Sequence, residues 1–319
     1  MSTDARATAE TTAAAPDTSF EVVVVSYRSR EQVAGLLAGL PADLPVAVVD
    51  NARGADGVEE LTRTRTAGRY VDTGGGAGYA RAANLGVRTS RHPYVVLVNP
   101  DTRPTTAVLE ALVRDVAGDP TCASSAALNV GPDGTSEIGT GGWEPTFARS
   151  LVHATGAHAL FPRRGLFARP AVGEEIDLDW TTGAVMAVRR ELFLELGGLD
   201  ERYFVYSEDV AYGRTARERG LHQVLRTDLP VAHASGGSGA PSLEMMRLRG
   251  ASFARYVATT RRPLRARTVA GVVGTGYLVR AVRSRAGGDP GRAREHLMYA
   301  RGAFTGRAWV AGEEVTGRE

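Results

Sequence analysis

Residues 197–209 read Gly-Gly-Leu-Asp-Glu-Arg-Tyr-Phe-Val-Tyr-Ser-Glu-Asp, and the two carboxylates that close the run, Glu208 and Asp209, are the leading candidates for acid–base chemistry. They open a helical pattern over 210–219 that Gly220 ends. With Ser207 as N-cap, both acids fall in the first turn, where the positive end of the peptide dipoles is expected to keep them ionised. A carboxylate held ionised at a helix mouth can accept a proton. Acids in a first turn are also ordinary capping. What sets this pair apart is the preceding run of Tyr203, Phe204 and Tyr206, which suits the wall of a pocket better than a surface cap. Asp209 is therefore the candidate general base, with Glu208 beside it.

A second centre is Asn99-Pro100-Asp101, at the end of an apolar run. Asn and Asp oxygens there offer hard ligands suited to Mg2+ or Mn2+, ions that commonly hold a substrate diphosphate as well. The plain alternative is an Asx turn. His233 could add a nitrogen ligand beside Asp101, although a lone histidine is more often structural. The glycine-rich loop at 74–78 opens a helix, so its amides can lie against a diphosphate. It is not a dinucleotide fingerprint, because it follows the third strand and lacks the Gly-x-Gly-x-x-Gly spacing.

Behind these residues stands a chain of 319 residues, 43% apolar, enough for one large core with an appendage. The net charge of +2 hides a complete absence of lysine: all 38 basic groups are arginine, whose guanidinium forks grip phosphates bidentately. The single cysteine, Cys122, excludes an internal disulfide and a cysteine metal cluster, and suits a reducing cytoplasm. Residues 1–18 are expected to form a disordered leader. The apolar run at 269–279 is too short and glycine-broken to span a bilayer, so any membrane contact is expected to be peripheral, at the inner face of the plasma membrane.

The β-branched runs at 20–26 and 45–50 predict strands buried on both faces of a parallel sheet, and 69–72 and 94–98 predict two more. Helices are expected at 31–40, 58–68, 79–90 and 105–117. This alternation predicts an α/β, Rossmann-like, doubly wound and mostly parallel sheet, with ligands outside the carboxyl ends of its strands. Ser26, Asp50, Asp72 and Asp101 fall at those ends. Residues 118–178 read as strands and loops crossing the sheet, 179–188 as an apolar strand, and 222–225 as an edge strand. The segment 245–307 is helical, with fourteen arginines against two acids, and reads as a face for anionic lipid or a polyanionic substrate, or as a solvated helix.

Together the first-strand Val-Val-Val-Ser-Tyr, Val-Val-Asp50-Asn51, Gly78-Tyr79-Ala-x-Ala-x-Asn84-x-Gly86, Asn99-Pro-Asp101, Trp180-x-x-Gly183-Ala, Arg189-Arg190-Glu191 and the 197–209 stretch resemble family 2 inverting glycosyltransferases of GT-A fold. Within that family the chain is most similar to rhamnosyltransferases acting on lipid-linked cell-wall intermediates. The resemblance covers about 20–240, implying a GT-A domain at 19–240 and a basic helical extension at 241–319. It implies nucleotide-sugar contacts from Ser26, Tyr27, Arg28, Asp50, Asn51, Gly78, Tyr79, Asn84, Asn99 and Asp101. It implies sugar or acceptor contacts from Trp180, Thr182, Gly183 and Tyr206, a Mn2+ or Mg2+ ion at Asp101 and His233, and Asp209 as the base.

The implied donor is dTDP-rhamnose or a UDP-sugar, and the acceptor a lipid-linked glycan or a natural-product aglycone. No nucleic-acid partner is expected, and a homodimer is left open. Three positions depart from the family pattern: Gly76 stands where Asn is usual, Ala211 for Asp and Thr215 for Arg. They motivate a rival reading as a catalytically silent nucleotide-sugar binder. A nucleotidyltransferase, which needs a similar sheet and carboxylates, is the other.

Overall fold

The computed structural model describes residues 17–234 and 242–316, so the expected leader lies outside the described residues except for its last two. Its centre is a seven-stranded sheet in which each buried run of the sequence finds a neighbour. The first half alternates β1 (Phe20–Ser26), α1 (Arg30–Ala38), β2 (Val46–Asp50), α2 (Val58–Arg63), β3 (Gly68–Asp72), α3 (Tyr79–Thr89), β4 (Tyr94–Val98) and α4 (Thr106–Gly118). Two of these helices are shorter than expected: α2 stops at Arg63, and α1 ends at Ala38.

The second half adds β5 (Cys122–Val130), β6 (Gly141–Gly142), α5 (Phe147–Thr155), β7 (Trp180–Thr181), β8 (Val185–Arg189), α6 (Arg190–Glu195), α7 (Glu208–Glu218) and β9 (His222–Ala232). Strand order is β3-β2-β1-β4-β8-β5-β9. Only β8 runs antiparallel to its neighbours, so the expected mostly parallel, doubly wound sheet is what forms. One consequence is decisive for the site. The carboxyl ends of the six parallel strands and the start of β8 all meet at one edge of the sheet.

Each face of the sheet carries its own core. Val22, Val24, Val48 and Val96 pack under α1, α2 and α4, while Val23, Val49, Val95 and Leu97 pack under α3, α6 and α7. The alternation of strand side chains lets one β-branched run serve both layers. Three expectations need correction. The segment 118–178 contains β5, a nine-residue strand buried along its whole length in the main sheet. The single strand expected at 179–188 is broken into β7 and β8 by a bend at Thr182–Ala184. The edge strand expected at 222–225 runs on to Ala232, past a register shift opposite Ala127 and Leu128.

The basic segment folds as three helices, α8 (Ser242–Thr260), α9 (Pro263–Ala286) and α10 (Pro290–Thr305). Tyr256, Val257 and Val273 share a buried cluster with Leu166 and Tyr203 of the preceding chain, so these helices are packed onto the sheet domain. Part of the arginine excess is consumed at that joint. Glu144 receives Arg214 at 3.2 Å, Arg217 at 3.0 Å and Arg261 at 3.0 Å, while the Tyr256 hydroxyl donates to it at 2.6 Å. Removing this one carboxylate takes a partner from three guanidinium groups at once, although Arg214 keeps Glu218, Arg217 keeps Asp179 and Arg261 keeps the Pro145 carbonyl. The arginine side chains are 17–32% exposed, so water recovers part of that loss. Glu144→Ala should lower stability by about 2–4 kcal/mol, read from the midpoint of urea unfolding, with Glu144→Gln falling between it and the parent.

Candidate active site

The acid corner is built by a loop that turns against its preferences. Tyr206 and Ser207 both have φ of 70°, left-handed backbone that side chains with a Cβ adopt at a cost of about 1–2 kcal/mol each. Ser207 occupies the N-cap position of α7, but its side chain makes no capping bond, contrary to the expectation for it. The loop is held from outside instead. Tyr79 donates its backbone N–H to the Phe204 carbonyl at 2.6 Å, and Ser252 of α8 donates its hydroxyl to the Val205 carbonyl at 2.9 Å. Arg249 of α8 lies over the Tyr206 ring at 4.6 Å. Gly78 must be glycine here, because a Cβ would collide with the Phe204 backbone.

This loop delivers Glu208 and Asp209 at the start of α7. Burial raises both carboxyls, Asp209 to about 6, against the opposing pull of the Val210 N–H, which donates to its Oδ1 at 2.8 Å. Glu208 is raised further by burial and by the neighbouring Asp209 charge, and its Oε2 is buried without a hydrogen-bond partner. Desolvation thus outweighs the helix dipole expected to keep both acids ionised. With a pKa of about 6, Asp209 is ionised at neutral pH, a usable state for a base.

The second corner forms where β4, β5 and β9 end. His233 follows β9, with its N–H on the Val130 carbonyl at 3.0 Å, and bridges to Thr102. Its Nε2 lies 3.3 Å from Asp101 Oδ1 and its Nδ1 2.5 Å from Glu137 Oε2, with all three side chains 11–18% exposed. Burial alone would lower the imidazole's pKa, but bonding and charge from Asp101 and Glu137 outweigh it and hold the pKa above the usual histidine value. Glu137 was not foreseen: it sits on the return arm of a polar hairpin, 96 residues before its partner. Among the described residues no group of three or more His, Cys, Asp or Glu side chains forms a complete metal cage. Asp101 and His233 present an oxygen and a nitrogen 3.3 Å apart, a donor pair of the kind that would suit a divalent cation.

Tyr79 links the two corners. Its hydroxyl donates to the Gly183 carbonyl at 3.0 Å, Asn99 donates its N–H to the adjacent Ala184 carbonyl at 2.7 Å, and Tyr79 lies within the field of both Glu208 and Asp209. Several residues expected to touch ligand also hold loops in place. Asp50 is fully buried, and its carboxylate accepts the Ala52 N–H at 2.7 Å, the Gly54 N–H and the Tyr70 hydroxyl at 2.8 Å. Asn51, also buried, accepts from Thr73 and Ala77 and so staples the glycine-rich loop to β2. Asn84 donates to Leu199 O and Glu201 and accepts the Leu199 N–H, clasping the 197–201 stretch to α3.

Trp180, just before the bend at Thr182–Ala184, is 3% exposed and packs edge-on against Phe167. Ser26 is buried, its hydroxyl 3.0 Å from that of Ser29, while Tyr27 is half-buried under the exposed Arg28. Ala211 and Thr215 line a cavity of about 300 Å³ together with residues 196–201.

A family model described as "Glycosyltransferase like family 2" matches residues 6–262. The N-acetylglucosaminyl-diphospho-decaprenol L-rhamnosyltransferase of Mycobacterium tuberculosis is 27% identical over 231 residues, covering 66% of this chain and 75% of the relative. A low-salt glycan biosynthesis hexosyltransferase of Haloferax volcanii is 24% identical over 207 residues, covering 63% and 62%. Among solved structures, a mannosyltransferase from Pyrobaculum calidifontis in complex with GDP-Man and Mn2+ has a TM-score of 0.55 at 19% identity, covering 91% of this chain and 88% of that one. GalNAc-T7 with UDP, GalNAc and Mn2+ has a TM-score of 0.51 at 12% identity over 76% of this chain, which spans 51% of that one. The fold is therefore GT-A.

Because Ser207 is left-handed and makes no side-chain cap, Ser207→Gly should fold with an unchanged or slightly higher melting temperature. Ser207→Val should cost about 1–2 kcal/mol, measured by thermal unfolding, since a β-branched residue resists positive φ.

Proposed function

The chain belongs to glycosyltransferase family 2, and we propose that it transfers a hexose, rhamnose foremost, from a nucleoside-diphosphate sugar to an acceptor hydroxyl in one inverting step. The observation that carries this reading is the half-buried Asp209, its pKa lifted to about 6 and its loop tied through Tyr79 to the Asp101 corner. Asp209 takes the acceptor proton as the hydroxyl oxygen attacks the anomeric carbon from the face opposite the diphosphate, so the sugar's configuration inverts. Glu208 lies beside it, its carboxyl raised by burial and by the Asp209 charge, with Oε2 buried and without a hydrogen-bond partner.

Asp101 and His233 would hold a Mn2+ or Mg2+ ion on the diphosphate, and that ion would offset the negative charge growing on the leaving group. Asp50 and Asn51 shape the loops of the nucleotide pocket, and Tyr27, Arg28 and the 74–78 amides would line it. Gly183 and Tyr206 would lie next to the sugar, between the two corners. Rhamnose, with dTDP-rhamnose as donor, and a lipid-linked acceptor are favoured by the 27% identical mycobacterial relative. UDP-sugars are the next donors to screen, and the single cysteine suits a cytoplasmic enzyme.

Asp209→Asn should cut release of nucleoside diphosphate about 10²–10⁴-fold while donor binding persists. Unchanged release would remove Asp209 from the mechanism, and pyrophosphate as the product would replace sugar transfer with nucleotidyl transfer. In the parent, kcat/KM should climb as pH rises through about 6 and then level, as the base loses its proton. The same shift fixes a stability signature. Folding raises this carboxyl's pKa above its unfolded value, so its ionisation opposes folding: Asp209→Asn should melt higher than the parent at pH 8, and the difference should vanish below about pH 4. Chelation by EDTA, or Asp101→Asn, should reduce turnover by about 10²-fold or more, with Mn2+ restoring only the chelated parent.

A further inference from the structure

Between α5 and α9 runs a groove of about 620 Å³ that the catalytic reading does not use. Its floor is made of small residues, and at Gly276 a side chain would collide with the Ala154 backbone, so the two helices are held close. Its rims carry Leu151 and Val279, 46% and 44% exposed, with Val282 at 69% one turn further along α9. The turns after α5 raise Leu160 and Phe161, 80% and 54% exposed. Scattered apolar side chains on a surface are ordinary, but these stand on two packed helices and their adjoining turn.

The charge lining the groove has one sign. Arg280 and Arg283 line the groove and no carboxylate does. Arg164 follows Phe161 in the exposed turn, which Arg149 of α5 ties down by donating to the Arg163 carbonyl at 2.8 Å. Arg280 is fixed over the Tyr277 ring at 4.8 Å and donates to the His153 carbonyl, whereas Arg283 is exposed. Arg163 is already paired with Glu174. A second copy docked on this face would bring arginine against arginine, which disfavours self-association there.

We propose that this face lies on an anionic lipid bilayer, with the tips of Leu151, Leu160, Phe161, Val279 and Val282 entering the headgroup boundary and Arg164 and Arg283 meeting lipid phosphates. Apolar tips flanked by arginine are the combination that interfacial binding requires. Among the described residues no helix is long and apolar enough to cross a membrane, so the contact is one of surface. The lining from Gly271 to Arg283 extends about 18 Å along α9, long enough for several headgroups. The inference depends on neither the donor nor the acceptor of the transfer reaction.

The test is sedimentation of the full chain with vesicles of phosphatidylcholine alone or with phosphatidylglycerol added. Binding should appear only with the anionic lipid and weaken as salt rises. Arg283→Glu should lower the partition coefficient about 10- to 30-fold, and Leu160→Ser with Val282→Ser by about 10-fold or more, each at an unchanged melting temperature. Equal binding to both vesicle types, equal binding by the variants, or no binding to anionic vesicles would each overturn the proposal. A salt-sensitive dimer that these substitutions dissolve, without vesicle binding, would assign the face to a protein partner instead. Because the assay requires no turnover, its failure and a failure of the transferase reading are separate results.

Discussion

The site depends on a loop that cannot hold its own shape. Two successive left-handed residues, Tyr206 and Ser207, aim Glu208 and Asp209, and neither residue is glycine. Such backbone persists only where its surroundings over-determine it. Here they come from opposite ends of the chain: Tyr79 from the sheet domain, and Arg249 and Ser252 from α8. The C-terminal helices are thus part of the architecture that shapes the candidate site, and the Glu144 cluster ties α8 and the turn into α9 to α7.

Burial and charge then divide the labour between the corners. At Asp209 and Glu208 desolvation dominates and raises both carboxyls, Glu208 also under the charge of its neighbour. At His233 two carboxylates dominate, and the site favours positive charge. A proton-accepting end and a cation-favouring end, joined through Tyr79 and Gly183, are what a displacement on an activated sugar requires.

Much of this was legible in the sequence where the signal is local. Runs such as Val22 to Val25 and Tyr94 to Val98 announce buried strands, and the acids at 101 and 209 stand where strand and helix ends place them. β5 was not legible, because Cys122-Ala-Ser-Ser-Ala mixes small and polar residues whose hydroxyls are satisfied only by distant partners: Ser124 by Gln223, Ser125 by Asp115. Residue type was likewise legible at Asp50, Asn51 and Asn84, but their partners within the chain were not: each also holds a loop in place. Glu137 and Glu144 carry no local signal at all, since each acquires meaning only from residues about 70 to 120 positions away.

The most direct test of the account is a crystal structure with Mn2+ and a non-transferable nucleoside-diphosphate sugar, using anomalous scattering to place the ion. The account predicts an anomalous peak about 2.0–2.3 Å from both Asp101 and His233. It also predicts the Asp209 carboxylate about 5–7 Å from the anomeric carbon, on the side away from the diphosphate, leaving room for one acceptor hydroxyl between them. A peak away from that corner, or a sugar on the far side of Tyr79 from Asp209, would contradict it.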